Sequence, residues 1–82
     1  MSGYHKKNIK KGKLGEISKI AEEFEELMDA NEQGARILEL CEVADLYGAI
    51  KAYVKEQFNL SMDDVKIMSE LTERAFLDGS RT

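Results

Sequence analysis

Residues 14–58 have the sequence LGEISKIAEEFEELMDANEQGARILELCEVADLYGAIKAYVKEQF, in which apolar side chains recur at helical spacing on either side of one turn signal. The turn signal is NEQG, and its last residue, Gly34, is a candidate helix C-cap. We therefore predict one helix over residues 14–32 and a second over residues 35–58. Antiparallel packing of these helices would form a hairpin.

Two acidic clusters lie in the predicted helices, EEFEE in the first and EVAD in the second. Each cluster contains two carboxylates three residues apart, a spacing that places them on one face of a helix. The pairs are Glu23 with Glu26 and Glu42 with Asp45. Antiparallel packing would bring the four carboxylates to one point, where their mutual repulsion favours a bound cation. Mg²⁺, with Mn²⁺ as the alternative, prefers such hard oxygen ligands together with substrate phosphates.

The apolar patterns of the two helices differ. The first helix has a single apolar stripe, the face that an amphipathic helix usually buries. Its members are Ile17, Ile20, Ala21, Phe24, Leu27 and Met28. The second helix is apolar on nearly every side, so we predict that Cys41, Glu42 and Asp45 are all buried in it. Buried charge costs several kcal/mol unless it is paired or bound to metal, which is the physical reason to assign a function to the two carboxylates.

The rest of the chain contributes one more helix and a basic arm. Ser61 and Asp64 form a predicted capping box that opens the third helix, and Gly79 is its predicted end. The chain has 82 residues and no proline, so we predict a single all-α domain over residues 14–82, preceded by an arm of residues 1–13. A chain this short rarely forms a stable bundle alone, which favours self-association.

The arm is basic and the remainder is acidic. Residues 1–13 hold five of the twelve basic residues and none of the sixteen acidic ones, so the net charge of −4 combines +5 in the arm with −9 elsewhere. An acidic body repels nucleic acid backbones, so we expect no nucleic acid partner. For the arm, a flexible tail, an anchor for polyanions and a lid over substrate phosphates are the alternatives. As a lid, the arm would use Lys11 and Lys13 to bind a triphosphate.

Cysteine usage and hydropathy indicate the compartment. Cys41 is the only cysteine, so no internal disulfide forms, which is typical of a reducing intracellular setting. The sequence has no run of about 18 apolar residues, and no apolar segment of a secretory signal follows its basic start. We therefore expect a cytoplasmic protein with no membrane partner.

The acidic motifs also support a family resemblance. The EExxE cluster of Glu22, Glu23 and Glu26, followed by the ExxD pair of Glu42 and Asp45, resembles the MazG-type all-α nucleoside triphosphate pyrophosphohydrolases. The segments KIAEE and EVADL are also similar to phosphoribosyl-ATP pyrophosphatases of the same superfamily. The resemblance is strong over residues 16–50, weaker over residues 63–76 and absent from the arm.

Two departures from the family pattern leave the substrate open. MazG-type chains usually keep several basic residues near the end of the last helix, where this chain has Glu70, Glu73 and only Arg74. Phosphoribosyl-ATP enzymes usually have a histidine soon after the second motif, where this chain has Gly48 and Ala49. Because the chain is also short for the superfamily, a substrate pocket would include a second subunit.

The resemblance implies a fold, a reaction and a set of site residues. The fold would be a helical hairpin with a third helix, completed as a four-helix bundle by a homodimer or homotetramer. The reaction would convert a nucleoside triphosphate and water to a nucleoside monophosphate and pyrophosphate. The implied Mg²⁺ ligands are Glu23, Glu26, Glu42 and Asp45. Glu22 would be a further ligand or the group that activates water, and Lys19 and Arg74 would lie near phosphate.

Several alternatives remain open from the sequence. Lys19 has the i,i+4 spacing of a simple ion pair with Glu23. Phe24, Tyr47 and Tyr53 are either stacking partners for a base or plain core residues. The chain as a whole is alternatively a non-enzymatic helical interaction or regulatory module, or a family member that binds nucleotide without turnover.

Overall fold

The computed structural model describes His5 and residues 7–77, with side chains up to residue 74. Within that part of the chain there are three helices and no strand, which confirms the all-α prediction. The helices are α1 (Ile17–Gln33), α2 (Arg36–Phe58) and α3 (Met62–Leu77). None of them, over the described residues, combines the length and the apolar character needed to span a bilayer.

Left-handed backbone positions set both ends of α1. Gly15 has a φ of 93°, and the helix begins after it at Ile17, three residues later than predicted. Gly34 has a φ of 70°, and its N–H donates to the carbonyl of Asn31 at 3.0 Å, which confirms the predicted C-cap. Only glycine adopts this conformation without steric cost, so the hairpin turn depends on it.

The connection from α2 to α3 is also set by local signals. Asn59 ends α2 with a φ of 55°, and its N–H donates to the carbonyl of Lys55 at 3.0 Å. The Ser61 hydroxyl accepts from the Asp64 N–H at 3.3 Å, while the Asp64 carboxylate accepts from the Ser61 N–H at 2.9 Å. These bonds confirm the capping box. The Ser61 N–H, together with the Ser61 hydroxyl 3.0 Å from the same carboxylate oxygen, holds the pKa of Asp64 below its usual range. The predicted end of α3 at Gly79 lies outside the described residues.

Helices α1 and α2 pack along their lengths as an antiparallel hairpin. The side-chain amide of Gln57, near the end of α2, donates to the carbonyl of Gly15, just before α1, at 3.1 Å. α3 has no comparable contact with either helix. The hairpin is therefore the packed unit of a single chain, and it positions the acidic clusters.

The interior of the hairpin is acidic. Its only buried apolar residues, over the part of the chain described, are Ala30, Ala49 and Val54, whereas five buried residues are acids. The predicted apolar stripe of α1 is mostly exposed instead, with Ile17 62% and Phe24 51% exposed, while Ile20 and Leu27 are half-buried. The prediction that the stripe is buried is therefore wrong for the single chain, because α1 turns its carboxylates toward α2.

Two predictions for α2 are corrected. Cys41 and Asp45 are exposed, although both were predicted to be buried, whereas Glu42 is buried as predicted. The reason is that α2 packs against α1 on one side only, so its remaining faces are open. Of the aromatic residues, Tyr47 is also exposed, whereas Tyr53 makes an edge contact with Phe58, with ring centroids 6.0 Å apart.

Replacing Gly34 with alanine should lower the free energy of unfolding by about 1 kcal/mol, because an L side chain is strained at this φ. No atom lies within 4 Å of a Cβ built at Gly34, so steric overlap adds nothing to the cost. Gly34→Asn should cost less, since asparagine tolerates the left-handed region. Urea unfolding at one fixed protein concentration measures both variants, and an alanine variant as stable as the wild type would contradict this account of the turn.

Candidate metal centre

Helix α1 buries four carboxylates on the side that packs toward α2. Glu22, Glu26 and Asp29 follow one another at helical spacing, and Glu23 lies beside them. All four residues are at least nine-tenths buried, and Asp29 is the most enclosed at 2% exposure. Asp29 lies three residues after Glu26, the same spacing that pairs Glu23 with Glu26, so the sequence carries a signal for it.

Helix α2 completes the acidic face with Glu42 and Asp45. Glu42 is 1% exposed, whereas Asp45 lies at the open edge of the cluster. Ligand atoms of Glu23, Glu42 and Asp45 all lie within 4.8 Å of one another, as do those of Glu22, Glu23 and Glu26. The structure therefore brings the four predicted ligands together in overlapping groups that share Glu23.

Glu22 is the carboxylate with the most hydrogen-bond donors and positive charge around it. Its Oε1 accepts from the backbone N–H of Gly12 at 2.8 Å and from the Lys19 ammonium at 3.1 Å, and Lys11 lies 3.7 Å from its Oε2. Burial alone would raise the pKa of Glu22, but these hydrogen bonds and charges outweigh it and lower the pKa. Glu22 is therefore ionised and already satisfied.

Lys19 connects Glu22 to the rest of the cluster. Its ammonium lies 3.1 Å from Glu22 Oε1 and 3.2 Å from Glu23 Oε1, so the ion pair expected from the i,i+4 spacing is present. Burial opposes the charge of Lys19, but the hydrogen bonds to Glu22 and Glu23 outweigh it and raise the pKa of the ammonium. This cation neutralises one end of the acidic face.

Glu23 has the opposite electrostatic environment. Burial, followed by its interaction with Glu26, raises the pKa of the Glu23 carboxyl more than Lys19 lowers it. Its Oε2 is buried and accepts no hydrogen bond. Glu23 is therefore charged at a cost that its protein neighbours do not offset.

Two buried carboxylate oxygens face the centre of the hairpin without a hydrogen-bond donor. They are Glu23 Oε2 on α1 and Glu42 Oε2 on α2. His5 Nε2 lies 3.4 Å from Glu42 Oε2 without a hydrogen bond to it. A buried carboxylate oxygen without a donor is costly, and a proton, a protonated imidazole or a metal cation can offset that cost. The candidate metal ligands on α1 and α2 are all carboxylate oxygens, which suit Mg²⁺ or Mn²⁺. The residues present therefore fit the metal that the family resemblance implies.

The basic arm lies against the acidic face. The His5 side chain, 3% exposed, places Nδ1 2.9 Å from Asp29 Oδ2 and Nε2 3.4 Å from Glu42 Oε2. The ammonium of Lys7 lies 2.9 Å from Glu32 Oε2. Sequence reasoning missed His5 because no periodic pattern links an arm residue to a helix face 24 residues away.

Gly12 fixes the point where the arm crosses the start of α1. A Cβ at this position would overlap the backbone of Ser18 and Lys19, so only glycine lets the two segments approach so closely. The Lys13 N–H donates to the Ser18 hydroxyl at 3.0 Å at the same crossing. This approach is what carries the Gly12 N–H to Glu22.

The three residues predicted to bind substrate phosphate occupy different places. Lys11 lies beside Glu22, whereas the 80% exposed side chain of Lys13 approaches only Glu16, at 3.8 Å. Arg74 is exposed near the end of α3 and forms no ion pair with a carboxylate of the described residues. A single chain therefore brings Lys11, but not Arg74, to the acidic cluster.

Two clefts of about 200 Å³ each open between the arm and α1. One is lined by His5, Lys7, Asn8, Ile9, Lys11 and Glu26. The other is lined by Lys10, Lys11, Ser18, Ala21, Glu22 and Glu25. Lys11 belongs to both, so each cleft pairs a carboxylate of the cluster with a mobile positive charge suited to a phosphate.

Comparison with protein-family models, with curated proteins and with solved structures found no match for this chain. The family resemblance therefore depends on the motif residues alone, and activity must be argued from the site.

Replacing Glu23 with glutamine should stabilise the metal-free chain at neutral pH by on the order of 1 kcal/mol, because it removes a buried charge whose cost the ion pair with Lys19 only partly offsets. The pKa of Glu23 in the folded chain lies above the ordinary value of 4.5, which applies to the unfolded chain. Between these two pKa values the folded chain binds more protons than the unfolded chain. The stability that protonated Glu23 contributes is therefore lost as the pH rises between these two pKa values. Glutamine does not titrate, so the variant should not show this loss.

Urea unfolding in the presence of a chelator, from about pH 4 to about pH 8, measures this difference. Glu25→Gln is the matched control, since Glu25 is exposed on the same helix. Equal pH dependence in wild type and Glu23→Gln would show that Glu23 is not the strained group.

Proposed function

We propose that this chain is a nucleoside triphosphate pyrophosphohydrolase that requires Mg²⁺, or Mn²⁺ in its place. The observation that carries the proposal is the pair of donor-free buried oxygens, Glu23 Oε2 and Glu42 Oε2, on facing helices. A buried acidic cluster without apolar packing around it destabilises the fold, and cation binding is the function that explains it. The motif resemblance selects the reaction from among those that use such a cation.

Four residues would hold the cation, and Glu42 is the central one. It shares a ligand group with Glu23 and Asp45 and approaches Glu26 in another. When bound, the cation would neutralise charge on the phosphate oxygens. The open edge at Asp45 is the side from which a triphosphate can reach the carboxylates, because Asp45 alone of the four is exposed.

Glu22 and Lys19 would act on the reacting groups. Water adds to the α-phosphorus, the bond to the α–β bridging oxygen breaks, and pyrophosphate leaves with the bonding electrons. The lowered pKa of Glu22 keeps it ionised, so it can accept a hydrogen bond from the attacking water and then its proton. Lys19, held by Glu22 and Glu23, supplies fixed positive charge beside the forming negative charge.

Substrate binding would combine the arm with a second subunit. Lys11 lines both clefts of the arm and reaches the cluster at Glu22, so it is placed to meet a phosphate. Phe24 and Tyr47 are exposed in the single chain and remain available to stack on a base. Lys13 and Arg74 would contribute only where another chain or a substrate brings the phosphates to them.

Glu42→Gln should lower Mg²⁺-dependent release of pyrophosphate by at least about 100-fold, because several kcal/mol of charge stabilisation depend on the cation. The assay is a panel of ribo- and deoxyribonucleoside triphosphates, canonical and modified, with pyrophosphate and phosphate measured separately. Glu39→Gln is the control, since Glu39 lies on the same helix but pairs with Arg36 at 3.1 Å, away from the cluster.

Loss of activity in both variants would point to a folding defect, which circular dichroism detects. Full activity in Glu42→Gln would refute the assignment of the metal ligands. A wild-type chain that releases no pyrophosphate from any triphosphate would favour the interaction or regulatory module, or a nucleotide-binding protein without turnover.

We also propose that the active form is a homo-oligomer. Each helix of the hairpin has an exposed apolar stripe on the side opposite its buried carboxylates, and α3 has a third exposed apolar group. The members are Ile17, Phe24 and Met28 on α1; Ile37, Leu40, Val43 and Tyr47 on α2; and Ile67, Met68 and Leu71 on α3. A hairpin with so few buried apolar residues needs apolar burial from elsewhere. A second copy of the chain supplies matching stripes.

Sedimentation at micromolar concentration should therefore show a dimer or tetramer. Leu40→Glu should dissociate it, because Leu40 is 70% exposed at the middle of the α2 stripe. Leu60→Glu makes the same change in the connection between α2 and α3 and should leave the assembly intact. A folded wild-type monomer under these conditions would refute the proposal.

A further inference from the structure

The arm places a nitrogen ligand at the edge of the acidic cluster. Ligand atoms of His5, Glu26 and Glu42 all lie within 4.8 Å of one another. The His5 side chain and the whole of Glu42 are almost completely buried, so this is an enclosed contact. Carboxylates alone suit Mg²⁺, whereas an added imidazole favours a transition-metal dication.

Asp29 fixes the orientation of the imidazole. It lies 2.9 Å from His5 Nδ1, and because a carboxylate only accepts hydrogen bonds, the proton of that bond is on Nδ1. Asp29 is itself held by the side-chain amide of Gln33, which donates to it at 2.9 Å. Metal-binding histidines are commonly oriented in this way: one ring nitrogen donates to a carboxylate, and the other ring nitrogen faces the metal.

The other ring nitrogen meets an oxygen that has no donor. His5 Nε2 lies 3.4 Å from Glu42 Oε2, yet that oxygen accepts no hydrogen bond. With the Nδ1 proton held by Asp29, Nε2 needs either a second proton or a metal cation between it and Glu42 Oε2 to make this buried contact favourable. Two ligands about 2.1 Å from a tetrahedral ion are separated by roughly 3.3–3.5 Å, so the observed spacing suits such an ion.

We propose that His5, Glu26 and Glu42 form a site for a transition-metal dication such as Zn²⁺, Co²⁺ or Mn²⁺, with Asp29 as the residue that positions His5. Three protein ligands leave a coordination position open, as in catalytic rather than structural sites. The cleft lined by His5, Lys11 and Glu26 gives that position a path to solvent and to a phosphate. The inference rests on the proposed function for Glu26 and Glu42 and adds the arm to the centre.

The test is direct binding of Co²⁺ and Mg²⁺ to the full-length chain, free of any affinity tag and of nucleotide. Cobalt reports its ligands by visible absorption, and magnesium is measured by calorimetry. His5→Ala should raise the Kd for Co²⁺ by about 10-fold or more and change its spectrum, while the Kd for Mg²⁺ changes by less than about twofold. Asp29→Asn should give an intermediate loss with a retained nitrogen signature.

Two control variants separate this inference from the proposed function. Lys66→Ala removes an exposed charge on α3, outside both clefts of the arm, and should leave both affinities unchanged. Glu42→Gln should weaken both metals, because Glu42 belongs to both ligand groups.

Unchanged Co²⁺ affinity and spectrum in His5→Ala, with both metals weakened in Glu42→Gln, would overturn the role of His5 and leave the carboxylate centre in place. Tighter Co²⁺ binding in His5→Ala would also overturn it, since the imidazole would then be a competitor for the cation and not its ligand. A wild-type chain that binds neither metal would refute this inference and the proposed function together.

Discussion

The burial of carboxylates between α1 and α2 is the constraint on which the rest of the structure depends. Five acidic residues, four on α1 and one on α2, occupy the positions that a helical hairpin normally fills with leucine or valine. Like charges in a low-dielectric interior repel, and each must be matched by a donor, a proton or a cation. The arm contacts of His5, Lys11 and the Gly12 N–H, and the placement of Lys19, serve that requirement.

The same constraint sends the apolar side chains outward. Because the facing sides of α1 and α2 carry acids, the stripes that contain Phe24 and Leu40 lie on the opposite sides. Over the described residues, just three apolar side chains, Ala30, Ala49 and Val54, are buried in the hairpin beside the acids. The single chain therefore separates its two driving forces, with electrostatic pairing inside and an exposed apolar surface outside.

A feature of the fold or of the site could be predicted from the sequence when it depends on residues close together in the chain. The turn at Gly34, the capping box at Ser61 and the convergence of Glu23 with Glu42 depend on local backbone preferences and helical period, so the sequence predicts them. The exposure of Cys41 and Asp45 depends on which faces of α2 find a neighbour, which periodicity does not encode. The approach of His5 to the cluster is a contact between an arm and a helix, and it has no sequence pattern at all.

The environments of the carboxylates indicate where a cation is needed within the cluster. At one end Glu22 receives the Gly12 N–H, Lys19 and Lys11, and its lowered pKa shows that its charge is compensated. Toward the centre, the pKa of Glu23 is raised and its Oε2 accepts no hydrogen bond. On the facing helix, Glu42 Oε2 also accepts none. The compensation supplied by the protein is thus weaker at Glu23 and Glu42 than at Glu22. A cation placed between the helices beside these two residues would neutralise the charge that Lys19 leaves uncompensated, and it would leave Glu22 free to act on water.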